Sequence, residues 1–156
     1  MTSPLERTPP SLWEWGCEGY VISNDPKLVD RDAVWRFLRV SYWAAGVTRE
    51  AVDRAIDNSL VFGMRAPGGA QAGFARAVTD YARMAWIADV FVLPPHRGRG
   101  LGVWLAQTVV EHPELRGLRL ILATADAHGL YARFGFVAAG TDRMMERPCP
   151  DAQKSC

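Results

Sequence analysis

The residues with the clearest capacity for chemistry lie between positions 93 and 102, "LPPHRGRGLG". Arg97, Gly98, Arg99, Gly100, Leu101 and Gly102 separate the apolar run "AWIADVFV" from the helix-like "VWLAQTVVEH". A helix leaves its first four backbone N–H groups without intrahelical partners, and its dipole makes that end effectively positive. Glycines remove the side chains that would hold an anion away from those groups, and two guanidinium forks match phosphate oxygens. Strand, glycine-rich turn and helix N-terminus together predict a diphosphate cradle. The short pattern R-x-x-G-x-G also fits an ordinary tight turn, so its surroundings must decide. A P-loop would end in Gly-Lys-Ser/Thr, whereas Gly102 precedes Val103 and Trp104. A dinucleotide site would place its glycines after an early strand, and these lie past the middle of the chain.

Other reactive side chains are sparse. His96, His112 and His128 share no metal-ligand spacing with carboxylates, so no metal is expected. His96 reads as a loop residue, His128 as a surface residue and His112 as a helix C-terminal residue favoured by the dipole. Ser41, Ser59 and Thr124 have no neighbouring base to activate them. Cys17, Cys149 and Cys156 are odd in number and near the termini, which fits a reducing cytoplasm and argues against a covalent acyl-enzyme.

The elements that must position the cradle follow from periodicity. "YVIS" reads as a first strand. Val34, Phe37, Leu38, Ser41, Tyr42 and Ala45 share a helical face, with Asp30 or Asp32 as N-cap and Gly46 as the stop. Thr48 caps a second helix. "LVFGMRA", a "PGGA" turn and "QAGFARAVTD" predict a hairpin, and "MAWIADVFVL" a strand buried on both faces. A helix ended by Pro113, a strand over 118–124, a short helix capped by Asp126 and a last strand in "FVAAGTDRMMER" complete the order. The order β-α-α-β-β-β-α-β-α-β predicts an α+β fold: a mixed, mostly antiparallel sheet flanked by about four helices.

Composition bounds the rest. A chain of 156 residues suits one domain, here expected over 19–147, with a flexible arm at 1–18 and a tail at 148–156. Lys and Arg number 18 against 17 Asp and Glu, so a net charge of +1 gives nucleic acid or an acidic membrane no general attraction. The two arginines of "HRGRG" belong to no basic stripe. No apolar run reaches the length of a membrane span, and no leader is read.

"VFVLPPHRGRGLGVWLAQ", followed by "LYARFGF", resembles the GCN5-related N-acetyltransferase (GNAT) superfamily from about residue 19 to 147. Arg97, Gly100 and Gly102 match its R/Q-x-x-G-x-G/A motif; Leu130, Tyr131, Gly135 and Phe136 match its second motif. Strings such as "SYWA" and "ATADAHGLY" further resemble a bacterial subgroup of acetyltransferases that brings no assigned substrate with it.

The resemblance implies acetyl-CoA as cosubstrate and a small-molecule primary amine as acceptor, joined by direct attack in a ternary complex. Pantetheine would pair with main-chain groups of Phe91 and Val92, and an N–H near Val90 or Phe91 would polarise the thioester carbonyl. Tyr131 would protonate the departing thiolate. Many relatives carry a glutamate where Trp86 stands, which leaves Asp89 as the nearest carboxylate. Asp89 is then either the base or a structural acceptor, paired with Arg76 or with backbone amides. Tyr42, Trp43 and Trp86 would wall the acceptor side. An acyl-CoA-binding module without transfer chemistry is the alternative, and a homodimer through the last strand is compatible with either.

Overall fold

The computed structural model describes residues 10–149. It contains β1 (Glu14–Cys17), β2 (Tyr20–Ser23), α1 (Arg31–Leu38), α2 (Arg49–Asp57), β3 (Leu60–Arg65) and β4 (Gln71–Thr79). β5 (Met84–Val92), α3 (Leu101–Glu111), β6 (Arg119–Ile121) and α4 (His128–Ala132) follow. The six strands lie in sequence order in one sheet, antiparallel throughout except for the parallel β5–β6 pair. The α+β architecture expected from the periodicities is the one observed.

Two apolar clusters hold the sheet between helical layers. On one face, Val34 and Leu38 of α1 and Val52 and Ile56 of α2 pack on Val61, Phe74 and Phe91. On the other, Leu101, Leu105 and Val109 of α3 pack on Ile22, Phe62, Met64 and Ile87. Both faces of the central strands are covered, which explains why they read as almost continuous apolar runs.

Several boundaries differ from the sequence expectation, each for a local reason. The arm expected over residues 1–18 lies outside the described residues as far as position 9, but its end is an ordered strand. Glu14–Cys17 pairs with β2, and Asn24 ties down the preceding residues by accepting from Trp13 N and donating to Ser11 O. α1 stops at Leu38, well before Gly46. Ser41 Oγ donates to Leu38 O at 2.7 Å, competing with the helical ladder, and Gly46 N returns to Arg39 O with Gly46 at φ +77°. Tyr42 is therefore on a connecting segment, 63% exposed, rather than on a helical core face.

β6 spans three residues rather than seven. The last strand does not form among the described residues: a 3₁₀ turn at Thr141–Arg143 interrupts the run, and no ladder partner faces it. The tail expected at 148–156 lies outside the described residues from position 150.

Candidate active site

The site is organised by a break in the β4–β5 ladder. Phe74 pairs with Phe91 and Arg76 with Ala88, so Asp89 and Val90 share the single residue Ala75 as their opposite number. The extra residue is a β-bulge, and Asp89 takes the left-handed conformation with φ +53°. Because side chains alternate along a strand, one inserted residue exchanges the faces beyond it. Ile87 belongs to the α3-side cluster, whereas Phe91 packs against α1 and α2, its ring stacked 4.0 Å from Phe37.

The bulge sets Asp89 toward its partners. Its Oδ2 accepts from Arg76 Nε at 2.6 Å and its Oδ1 from Trp43 Nε1 at 3.1 Å. Arg76 Nη1 continues to Ser59 Oγ at 3.2 Å. The pairing with Arg76 expected of Asp89 as a structural acceptor is present.

Before the bulge β5 has already lost its other neighbour. The parallel ladder ends at Trp86 and Ile121, while β5 runs on to Val92. A cavity of about 320 Å³ opens beside that free edge, lined by Val90, Phe91, Val92, Arg97, Gly98, Gly100 and Gly102 together with Leu130 and Tyr131. Gly100 occupies the N-cap of α3 at φ +77°, where a side chain would be strained. A Cβ on Gly98 or Gly100 would meet no protein atom within 4 Å, so the backbone there lies open.

Arg97 is hooked onto the strand, its Nε donating to Val92 O at 2.8 Å. Its terminal nitrogens and the whole Arg99 guanidinium have no hydrogen-bond or ion-pair partner among the described residues. Bare amides at the start of an 11-residue helix, flanked by unpaired cations, fit a diphosphate. The Arg97 contact also occupies one of the main-chain groups, at Val92, that was expected to pair with pantetheine.

A second cleft, of about 580 Å³, lies between α1, α2, β5 and the segment after β6. Tyr42, Trp43, Trp86, Arg76, Asp89 and Asp126 line it amid apolar side chains. Tyr42 reaches across, its hydroxyl accepting from Ala125 N at 3.4 Å, and packs edge-on to Trp43 at 5.0 Å between ring centroids. The two cavities share three residues: Val90, Ala127 and Tyr131. Tyr131 is buried, 5.6 Å from the ring of Phe136, and burial first, then the charges of Tyr42 and Asp126, push its phenol pKa up. It is held in the protonated form, as a proton donor needs.

The Acetyltransferase (GNAT) family model matches residues 26–136, most of the chain. This protein belongs to the GNAT acetyltransferase family. It is 30% identical over 149 residues to a Gibberella zeae protein named "putative acetyltransferase", with 81% of this chain and 82% of that one covered. A crystal structure from Xanthomonas campestris pv. campestris, titled as a GNAT-family "putative acetyltransferase", is 45% identical with a TM-score of 0.82. That match covers 88% of this chain and 99% of the other. A Clostridium acetobutylicum structure solved with acetyl-CoA shares the fold at a TM-score of 0.56 and 16% identity, covering 83% and 94% of the two chains.

The motif residues Arg97, Gly100, Gly102, Leu130 and Tyr131 thus border one cavity, and the acceptor-side residues Tyr42, Trp43, Trp86 and Asp89 the other. Asp80 is not among the residues that line the cleft and closes the β4–β5 turn. It accepts from the amides of Arg83, Ala82 and Met84, which lower its pKa to about 2.

Asp126 was missed as a site residue because a helix-capping role accounted for it in the sequence. Ala127 holds the cap position of α4, and Thr124 Oγ1 accepts from the amides of Asp126 and Ala127 at 3.4 and 3.0 Å. Asp126 is left facing the larger cleft.

Proposed function

We propose that this GNAT protein transfers the acetyl group of acetyl-CoA to the primary amine of a small molecule, by direct attack while both substrates are bound. One observation carries the reading: an anion-suited slot and an apolar cleft meet at Val90, Ala127 and Tyr131. A donor in the first and an acceptor in the second would bring their reacting ends together beside the Tyr131 phenol.

In this reading Gly98 to Gly102, with Arg97 and Arg99, hold the diphosphate, and the free edge of β5 at Phe91 and Val92 aligns the pantetheine arm. Acetyl-CoA supplies an activated thioester carbonyl. Val90, lifted from the β4 ladder by the bulge, gives its N–H to the developing oxyanion. The amine nitrogen forms the new N–C bond as the C–S bond breaks. Tyr131 passes its phenolic proton to the leaving sulfur, and the proton lost by the nitrogen restores the phenol through solvent in the cleft. Asp89, with both carboxylate oxygens engaged, fixes the bulge and Trp43 and so acts as a positioning residue.

Calorimetric titration with acetyl-CoA, followed by a thiol-release assay over a panel of primary amines, tests this. Binding, with thiol release matched by N-acetylated product, is the expected result. Absence of binding would sink the donor site. Binding without turnover on any amine would instead favour the acyl-CoA-binding module.

A further inference from the structure

We infer that the larger cleft selects an amine carried on an apolar or aromatic body, and that Asp126 is the residue that receives its ammonium group. The inference rests on the acetyl-transfer reading for which cavity takes the acceptor, and deepens it to a substrate class.

The wall of the cleft gives the first reason. Most of the residues lining it are apolar or aromatic, with Tyr42, Trp43 and Trp86 offering ring surface. Indole and phenol faces attract both planar apolar groups and cations. A volume of about 580 Å³ falls in the range of small-molecule sites.

Charge gives the second. Arg76 is the only Lys, Arg or His among the described residues that line the cleft, and Asp89 already neutralises it at 2.6 Å. A phosphate or carboxylate on the acceptor would find no free cation there. Asp126 leaves the lining with one carboxylate in excess, so the cleft favours a positive guest.

The third reason is that nothing in the fold employs Asp126. Its carboxylate makes no hydrogen bond or ion pair among the described residues, and the start of α4, which its position would have it cap, takes no side-chain cap hydrogen bond. It nevertheless faces the cleft, near enough for its charge to act on the Tyr131 phenol. A carboxylate there can hold the ammonium beside the junction of the two cavities until the proton is lost to solvent.

The test compares 2-phenylethylamine and tryptamine with phenylalanine, glucosamine 6-phosphate and the uncharged 2-phenylethanol. Initial rates are read with acetyl-CoA, and binding is read by calorimetry with and without CoA. The carboxylate-free aromatic amines should exceed phenylalanine and the sugar phosphate in kcat/KM or affinity by roughly tenfold or more. Asp126→Asn should weaken the aromatic amines by about tenfold, leave 2-phenylethanol unaffected and leave acetyl-CoA affinity intact, with Asp126→Glu recovering much of the loss.

Equal or better use of the anionic acceptors, no binding of any aromatic amine, or an Asp126→Asn variant with unchanged amine affinity would overturn the inference. In those cases intact acetyl-CoA binding would leave the donor site standing. Loss of acetyl-CoA binding in the unmodified protein would strike the acetyl-transfer reading itself, and the binding series without CoA would still decide the role of Asp126.

Discussion

Arg76 donates from Nε to Asp89 Oδ2 across 2.6 Å, an ion pair set against the bulge where β5 exchanges its faces. The two side chains are 20% and 12% exposed, so removing one charge strands the other in a poorly solvated site. Asp89→Asn keeps a residue that tolerates φ near +53° while deleting the charge. The expected cost is about 2–3 kcal/mol, discounted from fully buried pairs, which lowers Tm by roughly 5–10 °C. Differential scanning calorimetry reads the loss. If Asp89 acts by position, kcat falls while the pH–rate profile keeps its shape; disappearance of the acid limb would make it the base.

Tyr131 offers a sharper test because it borders both cavities. Tyr131→Phe keeps the ring that packs on Phe136 and removes only the hydroxyl. Turnover should fall by about 10²–10³, with acetyl-CoA affinity changed by less than about twofold. Burial raises the phenol pKa above its ordinary value of 10.0, with Tyr42 and Asp126 adding to it. The protonated donor therefore persists above that pH, and any fall in kcat on a lower alkaline limb must come from another group. A full pH–rate profile of both forms checks this.

At Gly100 the α3 N-cap needs φ +77°, whereas the space beyond is free. Gly100→Val should cost about 1 kcal/mol of stability and weaken acetyl-CoA binding by roughly ten- to a hundredfold. Gly68 in the β3–β4 turn is a matched control, with φ +95° and equally open space. Gly68→Val should carry a similar stability cost with unaltered binding. Equal calorimetric affinity in the two variants would mean that the cradle does not hold the diphosphate.

The legible part of this protein was whatever one short window encodes. Thr48 capping α2, the β3–β4 hairpin and the Arg97–Gly102 turn into α3 are local chemistry, and each was readable. The β5 bulge was not, since "MAWIADVFV" loses its alternation equally through burial on both faces and through an inserted residue. Only the pairing of Phe74 with Phe91 and Arg76 with Ala88 distinguishes the two. Tyr42 was placed on a helical face as well as on the acceptor wall, and Asp126 was assigned only a helix cap. The Ser41 bond to Leu38 O accompanies the early end of α1 that puts Tyr42 on a connecting segment, and α4 takes no side-chain cap, so Asp126 does not act as one. The first strand escaped notice because its anchor, Asn24, acts through tertiary contacts that no pattern in residues 11–17 announces.

His112, which lines neither cavity, gives a prediction about stability. It follows α3 as expected, but it is fully buried rather than displayed to the helix dipole. Its ring lies 5.6 Å from that of Trp15 and 5.4 Å from that of Phe62, and Nδ1 accepts from Glu114 N at 3.1 Å. Burial disfavours the imidazolium and lowers the pKa from 6.5 to about 4. The folded value lies below the unfolded one, so the stabilising contribution is complete above pH 6.5 and is lost as pH falls toward 4. Linkage puts that loss at about 2–3 kcal/mol. His112→Phe removes the titration while keeping an aromatic ring, at a cost near neutrality of about 1–2 kcal/mol for the stranded Glu114 amide. Urea unfolding followed by tryptophan fluorescence should show the stability difference between the two proteins shifting by about 2 kcal/mol in favour of His112→Phe from pH 7.5 to 4.5, closing or reversing it. A constant gap would mean that His112 titrates alike in the folded and unfolded chains.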